Sequence, residues 1–127
     1  MAKKKPQVDM HSHGLYDGWD RESKELPNLV KITTEVEAAL DVEFGYTLRI
    51  RNARNSKITF RIEHPPFKDR SGNTAPPFDG ELYVKTNDFR FFLGDTIWAP
   101  VEDKKGEWRL TTWLDGKMVA DKTLTLV

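Results

Sequence analysis

The 127-residue chain is long enough for one domain with a substantial core, and its 20 Lys or Arg residues balance 20 Asp or Glu residues. A domain of this size buries roughly two-thirds of the surface that its unfolded chain exposes. The zero net charge gives no indication of a nucleic-acid or a membrane partner. Cysteine is absent, which excludes disulfides, thiolate metal sites and cysteine nucleophiles.

The amino terminus is basic, with lysines at positions 3 to 5, but no apolar run follows it, so it does not read as a signal peptide. No stretch approaches the ~20 apolar residues of a membrane span. We therefore expect a cytoplasmic protein. Export is the alternative, because an exported bacterial protein can also lack cysteine.

The first residues are polar, and we predict a disordered tail over residues 1–12 followed by one β-sandwich domain over residues 13–127. Deletion of residues 1–10 is then expected to leave stability unchanged. Leu15, Tyr16 and Trp19 are apolar among polar neighbours, and they would form a short edge strand or a flap over the sheet.

The middle of the chain shows several runs that alternate apolar and polar residues, the period of a half-buried strand. We predict a first strand over residues 29–36 and a hairpin formed by residues 44–52 and 57–64. Two shorter strands are predicted over residues 81–85 and 89–93. No convincing helix is present.

The last 22 residues predict a β-hairpin because Asp115-Gly116, a strong turn signal, separates two alternating runs. A three-residue loop starting at Leu114 is favoured, since that register buries Met118 with Ala120, Leu124 and Leu126. Trp108 then faces the core, and Trp113 faces outward by parity. A register slip of one residue would move every side chain to the other face.

About seven strands with turns at short intervals are typical of an all-β sandwich. The fold class predicted here is an immunoglobulin-like antiparallel β-sandwich of about seven strands. The cysteine pair of antibody domains is absent, so the seam between the sheets is expected to be apolar, with Trp108 at its centre.

Four motifs point to a family resemblance: Glu43-Phe44-Gly45-Tyr46, His64-Pro65-Pro66-Phe67, Ala75-Pro76-Pro77-Phe78 and Gly94-Asp95-Thr96-Ile97-Trp98. In combination they resemble a small bacterial family classed only as a domain of unknown function, and the terminal hairpin resembles the closing hairpin of bacterial immunoglobulin-like domains. The resemblance runs from about Gly14 to the carboxyl terminus. It implies an immunoglobulin-like sandwich and implies no activity, cofactor or catalytic residue.

Sequence motifs for catalysis or metal binding are weak. His11 and His13, with Asp9 before them, have a spacing that would suit zinc in a strand, but they fall in the expected tail, and exposed histidines are the favoured interpretation. His64 has no acid–base partner on its own face and is expected to brace a loop. No catalytic residue, metal site or cofactor is predicted.

Two Pro-Pro-Phe motifs bound the long loop that follows His64. Proline-rich segments bind aromatic grooves at low entropic cost, so this loop is a candidate partner surface. The alternative, which we favour, is that Phe67 and Phe78 tuck into the end of the sandwich and pin the loop.

Two classes of function remain open from sequence. The first is a non-catalytic binding or structural module that contacts an unknown protein partner or a second copy of itself. The second is a carbohydrate-binding domain or small enzyme that uses exposed aromatic side chains. The candidate partner-binding residues are Trp113, Trp19, Trp98, Phe67 and Phe78. An exposed tryptophan on a strand is unusual unless something covers it, which could be residues 15–19, a second copy of the chain or a ligand. We expect any partner surface to lie around Trp113 together with the 64–80 loop.

Overall fold

A computed structural model describes residues 5–17 and 26–127. The described chain forms nine strands and one 3-10 turn: β1 (Gln7–Asp17), β2 (Asn28–Ile32), β3 (Glu35–Val36), β4 (Glu43–Arg51), β5 (Lys57–Glu63), β6 (Phe78–Tyr83), β7 (Asp88–Thr96), the 3-10 turn Glu102–Lys104, β8 (Gly106–Leu114) and β9 (Lys117–Leu126).

The strands build two sheets, one ordered β2-β1-β4-β7 and the other β3-β9-β8-β5-β6. All neighbours are antiparallel except β3 and β9. Apolar side chains from the inner face of each sheet form a single core. Trp108 is fully buried in it, with its ring edge-on to Phe44 at a centroid distance of 5.1 Å. The predicted all-β sandwich and the central position of Trp108 are confirmed.

The strand count of about seven is too low. The short edge strand expected around Leu15 and Tyr16 is part of the longer β1, which lies between β2 and β4 and not at an edge. Residues 7–12 are not a disordered tail, because they belong to β1, which pairs with β4 along most of its length. Val8 and Met10 pack against the core. A bulge at His11 lets the two halves of β1 keep their apolar residues inward.

One added strand comes from a kink in the predicted strand over residues 29–36. Thr33 Oγ1 accepts from the Glu35 amide at 3.1 Å and donates to the Glu35 carbonyl at 2.9 Å, which bends the chain locally. The segment before the kink is an edge of the first sheet, and the segment after it is an edge of the second.

The predicted hairpin of residues 44–52 and 57–64 is wrong. The two segments form β4 and β5, which lie in different sheets. Asn52 and Asn55 both have positive φ in the turn between them, and this turn carries the chain from one sheet to the other. Two alternating strands have the same inward apolar pattern whether they pair side by side or face each other across a core, so the pattern alone did not distinguish the arrangements.

The terminal hairpin is confirmed, but its loop has two residues rather than three. Asp115 and Gly116 have φ of 48° and 84°, and Leu114 pairs directly with Lys117. The register then shifts by one at Val119. This bulge buries Ala120 and, beyond it, Leu124 and Leu126, as expected. Met118, expected inside, is 49% exposed because it lies on the turn side of the bulge.

Candidate binding surfaces

Trp113 lies on the outer face of the five-stranded sheet, as parity predicted. Its side chain is half-buried, and its cross-strand neighbours are Thr59 of β5 and the exposed Met118 of β9. These residues line a shallow concavity of about 700 Å³ that also includes Arg61 and Arg109. We call this surface the Trp113 face.

Ion pairs surround the Trp113 face. Arg61 binds Asp79 through two nitrogens, at 2.7 and 3.2 Å, and Arg109 binds Asp121 in the same two-pronged way, at 2.9 and 2.8 Å. The Arg109 hydrogen bond holds the pKa of Asp121 below its ordinary value. These planar groups are therefore held in fixed orientations around the aromatic ring.

A second aromatic group closes one end of the sandwich. His64 stacks on Phe67 at 4.2 Å, and Phe67 meets Trp98 edge-on at 5.4 Å. Phe78 lies 4.8 Å from His64 and 6.3 Å from Trp98 between ring centroids. Phe67 is buried and Phe78 half-buried, so both phenylalanines tuck into the sandwich as the favoured interpretation of the loop expected.

His64 braces both Pro-Pro-Phe motifs. Its Nδ1 lies 2.8 Å from the Pro65 carbonyl and its Nε2 lies 2.8 Å from the Pro76 carbonyl. The ring therefore ties the two ends of the long loop together, in agreement with the loop-bracing role predicted for it.

A buried lysine beneath this aromatic group was missed by sequence reasoning. Lys104 is 1% exposed, and its Nζ donates to the Pro100 carbonyl at 2.9 Å and to Asp103 Oδ1 at 2.6 Å. The ammonium also lies 4.6 Å from the Trp98 ring centroid and 4.7 Å from that of Phe67. Its contacts are those of a cation held by rings and oxygen atoms. A lysine in a polar turn gives no sequence signal for burial.

The structure does not bring all the candidate residues together. Phe67, Phe78 and Trp98 belong to the aromatic end beside Trp108, whereas Trp113 lies five positions further along β8, about 16 Å away at the usual rise of a strand. Of the 64–80 loop, Asp79 and Gly80 line the Trp113 face, whereas Phe67 and Phe78 lie at the aromatic end. The composite surface of Trp113 and the 64–80 loop as a partner site stays a prediction. Trp19 lies outside the described residues.

The outer face of the first sheet carries a buried tyrosine. Tyr16 Oη lies 2.7 Å from Ser12 Oγ, and Thr47 Oγ1 donates to the same phenol oxygen at 3.3 Å. The rings of Tyr16 and Phe92 meet edge-on at 4.9 Å. Gly45, with φ of 154°, pairs with glycines on both neighbouring strands. A Cβ atom at one of them, Gly94, would lie 2.6 Å from Cζ of Phe92, so this glycine leaves room for the Phe92 ring.

Within residues 5–17 and 26–127, no group of three or more His, Asp or Glu side chains is placed to hold a metal ion. His13 pairs with Tyr46, whereas His11 is the bulged residue of β1. Burial, and secondarily Lys122, lowers the pKa of His13. No helix in the described part of the chain is long and apolar enough to cross a membrane.

Comparison with solved structures places the architecture among immunoglobulin-like proteins. An immunoglobulin-like protein from Pseudomonas aeruginosa matches with a TM-score of 0.80 over 100% of both chains, at 20% sequence identity. Residues 4–126 also match the family model described as "Domain of unknown function (DUF3859)", so the chain belongs to that family. A comparison with curated proteins gives no significant match.

Proposed function

We propose that this protein is a non-catalytic binding module that recognises a protein partner through the Trp113 face. The observation that carries the proposal is a half-buried tryptophan beside an exposed methionine, in a concavity on the outer face of a sheet. Tryptophan supplies much of the binding energy in many protein interfaces, and methionine is enriched in their centres.

The ion pairs around the concavity suit a surface that a partner covers. Arg61 and Arg109 each have a carboxylate partner within the same sheet. A partner that covers them would not leave either guanidinium without a counter-charge, which is the main penalty for burying charge at an interface. The arrangement therefore combines an apolar centre with a satisfied polar rim.

Carbohydrate binding at the same face is the second candidate. A sugar ring would stack on Trp113, while the fixed guanidinium and carboxylate groups would bind its hydroxyls. Trp98 lies at the aromatic end and not beside Trp113, so it does not extend this stacking surface. Only Trp113 with its ion pairs favours this candidate.

Affinity capture with three forms of the protein tests the proposal. The wild type, Trp113→Ala and Trp98→Ala are compared as baits, and captured proteins are quantified by mass spectrometry. Trp98 is a matched control because it is a 38% exposed tryptophan away from the Trp113 face. We expect a partner that is retained by Trp98→Ala and bound at least about tenfold more weakly by Trp113→Ala.

A glycan panel read by tryptophan fluorescence separates the two candidates. Saturable quenching that disappears in Trp113→Ala would favour carbohydrate binding. A partner profile that is the same for both variants would contradict the proposed Trp113 face.

A further inference from the structure

The free edge of β6 has the properties of a strand-addition site. Among the described strands, β6 is the last in the five-stranded sheet and has β5 as its only neighbour. The β5–β6 register runs without a bulge over six residue pairs. Every second residue of such an edge strand directs its amide and carbonyl away from the sheet, toward any chain that approaches.

Several of the usual protections of an edge strand are absent from β6. Its inward residues are Phe78, Gly80 and Leu82, so no charge points inward and no proline interrupts the six residues. The opposite edge of the same sheet is β3, which has only two residues. Edge strands that stay solitary are ordinarily short, bulged or charged on the inward side.

An apolar groove lies beside this edge, where the two sheets separate. Leu82 and Phe78 line it from β6, and Phe91 and Leu93 line it from β7. Its volume is about 700 Å³, and Trp98 lies in its wall. A strand added to β6 would place every second side chain in this groove.

The outward side of β6 is acidic. Asp79 and Glu81 are exposed there, and each already binds a basic residue of β5: Arg61 and Lys57. An added strand would lie on their other side, and cross-strand pairs of opposite charge are favourable. Its outward residues would therefore be basic.

From these features we propose that β6 binds an extended segment of a partner polypeptide in which apolar residues alternate with Lys or Arg. The apolar side chains enter the groove over Leu82 and Leu93, the basic ones lie beside Asp79 and Glu81, and the main chains pair along the edge. This site shares Asp79 and Glu81 with the rim of the Trp113 face, but its groove lies between the two sheets. The inference does not depend on the function proposed for the Trp113 face.

The first test uses a soluble octapeptide of alternating Val and Lys, with amide spectra of the isotopically labelled protein as the readout. Two control peptides are a Val–Glu version and a block isomer in which four Val precede four Lys. We expect shift changes at the amides of β6, and at least about tenfold weaker binding of both controls. Equal binding of the block isomer, changes confined to β8 and β9, or no binding would overturn the proposal.

A matched pair of protein variants separates packing from simple charge attraction. Leu82→Glu points its new carboxylate into the groove, whereas Tyr83→Glu adds the same charge on the outward side, where Tyr83 is 58% exposed. We expect Leu82→Glu to weaken binding at least about tenfold and Tyr83→Glu to retain it, since an inward charge disrupts strand addition. Equal strengthening by both would overturn the proposal in favour of non-specific attraction.

N-methylation of the peptide gives a readout that does not depend on how Leu82→Glu folds. Methyl groups on the alternate amides that face β6 should abolish binding, and methyl groups on the other amides should leave it unchanged, because only the first set donates to the edge. Equal effects of the two methylation patterns would contradict main-chain pairing. Trp113→Ala should bind the peptide like the wild type.

Discussion

At the scale of single residues, Trp108 and Trp113 show how one strand places one tryptophan in the core and another on the outer face. Trp108 is fully buried, and its Nε1 donates to the Lys104 carbonyl at 2.8 Å. Trp113 lies on the opposite face of the same strand and is half-buried. The two side chains therefore predict different outcomes for the same substitution.

We expect Trp108→Ala to lower the free energy of unfolding by about 3–5 kcal/mol, the usual cost of truncating a large core aromatic. Urea unfolding followed by far-ultraviolet circular dichroism measures it. Trp113→Ala is the matched control and should remain folded with a much smaller loss. Equal losses for the two variants would show that Trp113 is a core residue and that the Trp113 face is wrongly assigned.

At the scale of elements, the sequence predicted the features that neighbouring residues determine by themselves, namely turns and the inward or outward direction of side chains. Asp115-Gly116 determined the terminal hairpin, and alternation placed Trp108 inside. Local chemistry did not decide which strands pair, so β4 and β5 were wrongly joined. Nor did it predict the amino-terminal half of β1, because Val8 and Met10 are isolated among polar residues and are buried only through the pairing of β1 with β4.

Part of the candidate Trp113 face could also be predicted from the sequence. Parity along β8 placed Trp113 on the outer face. The neighbours of Trp113 could not be predicted, because Arg61 and Asp79 come from strands distant in sequence. Nothing in the sequence indicates that Lys104 is buried, because its burial depends on rings supplied by Phe67 and Trp98.

The turn of the terminal hairpin predicts a dependence of stability on pH. The Lys57 amide donates to Asp115 Oδ1 at 2.8 Å, and this bond, with one from Ser56, lowers the pKa of Asp115 below its ordinary value of 3.8. A carboxyl whose pKa is lower in the folded state stabilises the fold above its ordinary pKa and loses that effect as pH falls through the folded value.

Thermal unfolding of the wild type and Asp115→Asn from neutral pH to well below 3.8 measures this effect. We expect a smaller acid-induced decrease in melting temperature for the variant, because Asn keeps an acceptor oxygen but does not titrate. Parallel curves across the whole range would contradict the role assigned to Asp115.

The amino-terminal half of β1 gives a prediction opposite to that drawn from sequence. Deletion of residues 1–10 removes Val8 and Met10 from the core and much of the pairing with β4. We expect the free energy of unfolding to fall by at least about 2 kcal/mol, measured by urea titration. The full-length double variant Val8→Ser, Met10→Ser should show much of the same loss. An unchanged unfolding midpoint after deletion would mean that this half of the strand does not stabilise the domain.

At the scale of the whole molecule, the sandwich separates its packed interior from two surfaces with different chemistry. The Trp113 face presents an aromatic centre within a rim of ion pairs, and the β6 edge presents an open main chain beside an apolar groove. His64 and Lys104 hold the aromatic end together. The Trp113 face lies on the five-stranded sheet, and the groove beside β6 lies between the two sheets. The proposed function depends on the Trp113 face, so that face is the central claim.

Site-specific photocrosslinking tests that claim most directly. A photoreactive amino acid is placed at Met118, on the Trp113 face, or at Ile32, a 63% exposed residue of β2 in the other sheet. In cells that produce the protein, we predict a discrete crosslinked protein from position 118 that is absent from position 32 and is lost when Trp113→Ala is added. Identical crosslinking from both positions, no crosslinked protein at 118, or a product that survives Trp113→Ala would contradict the account.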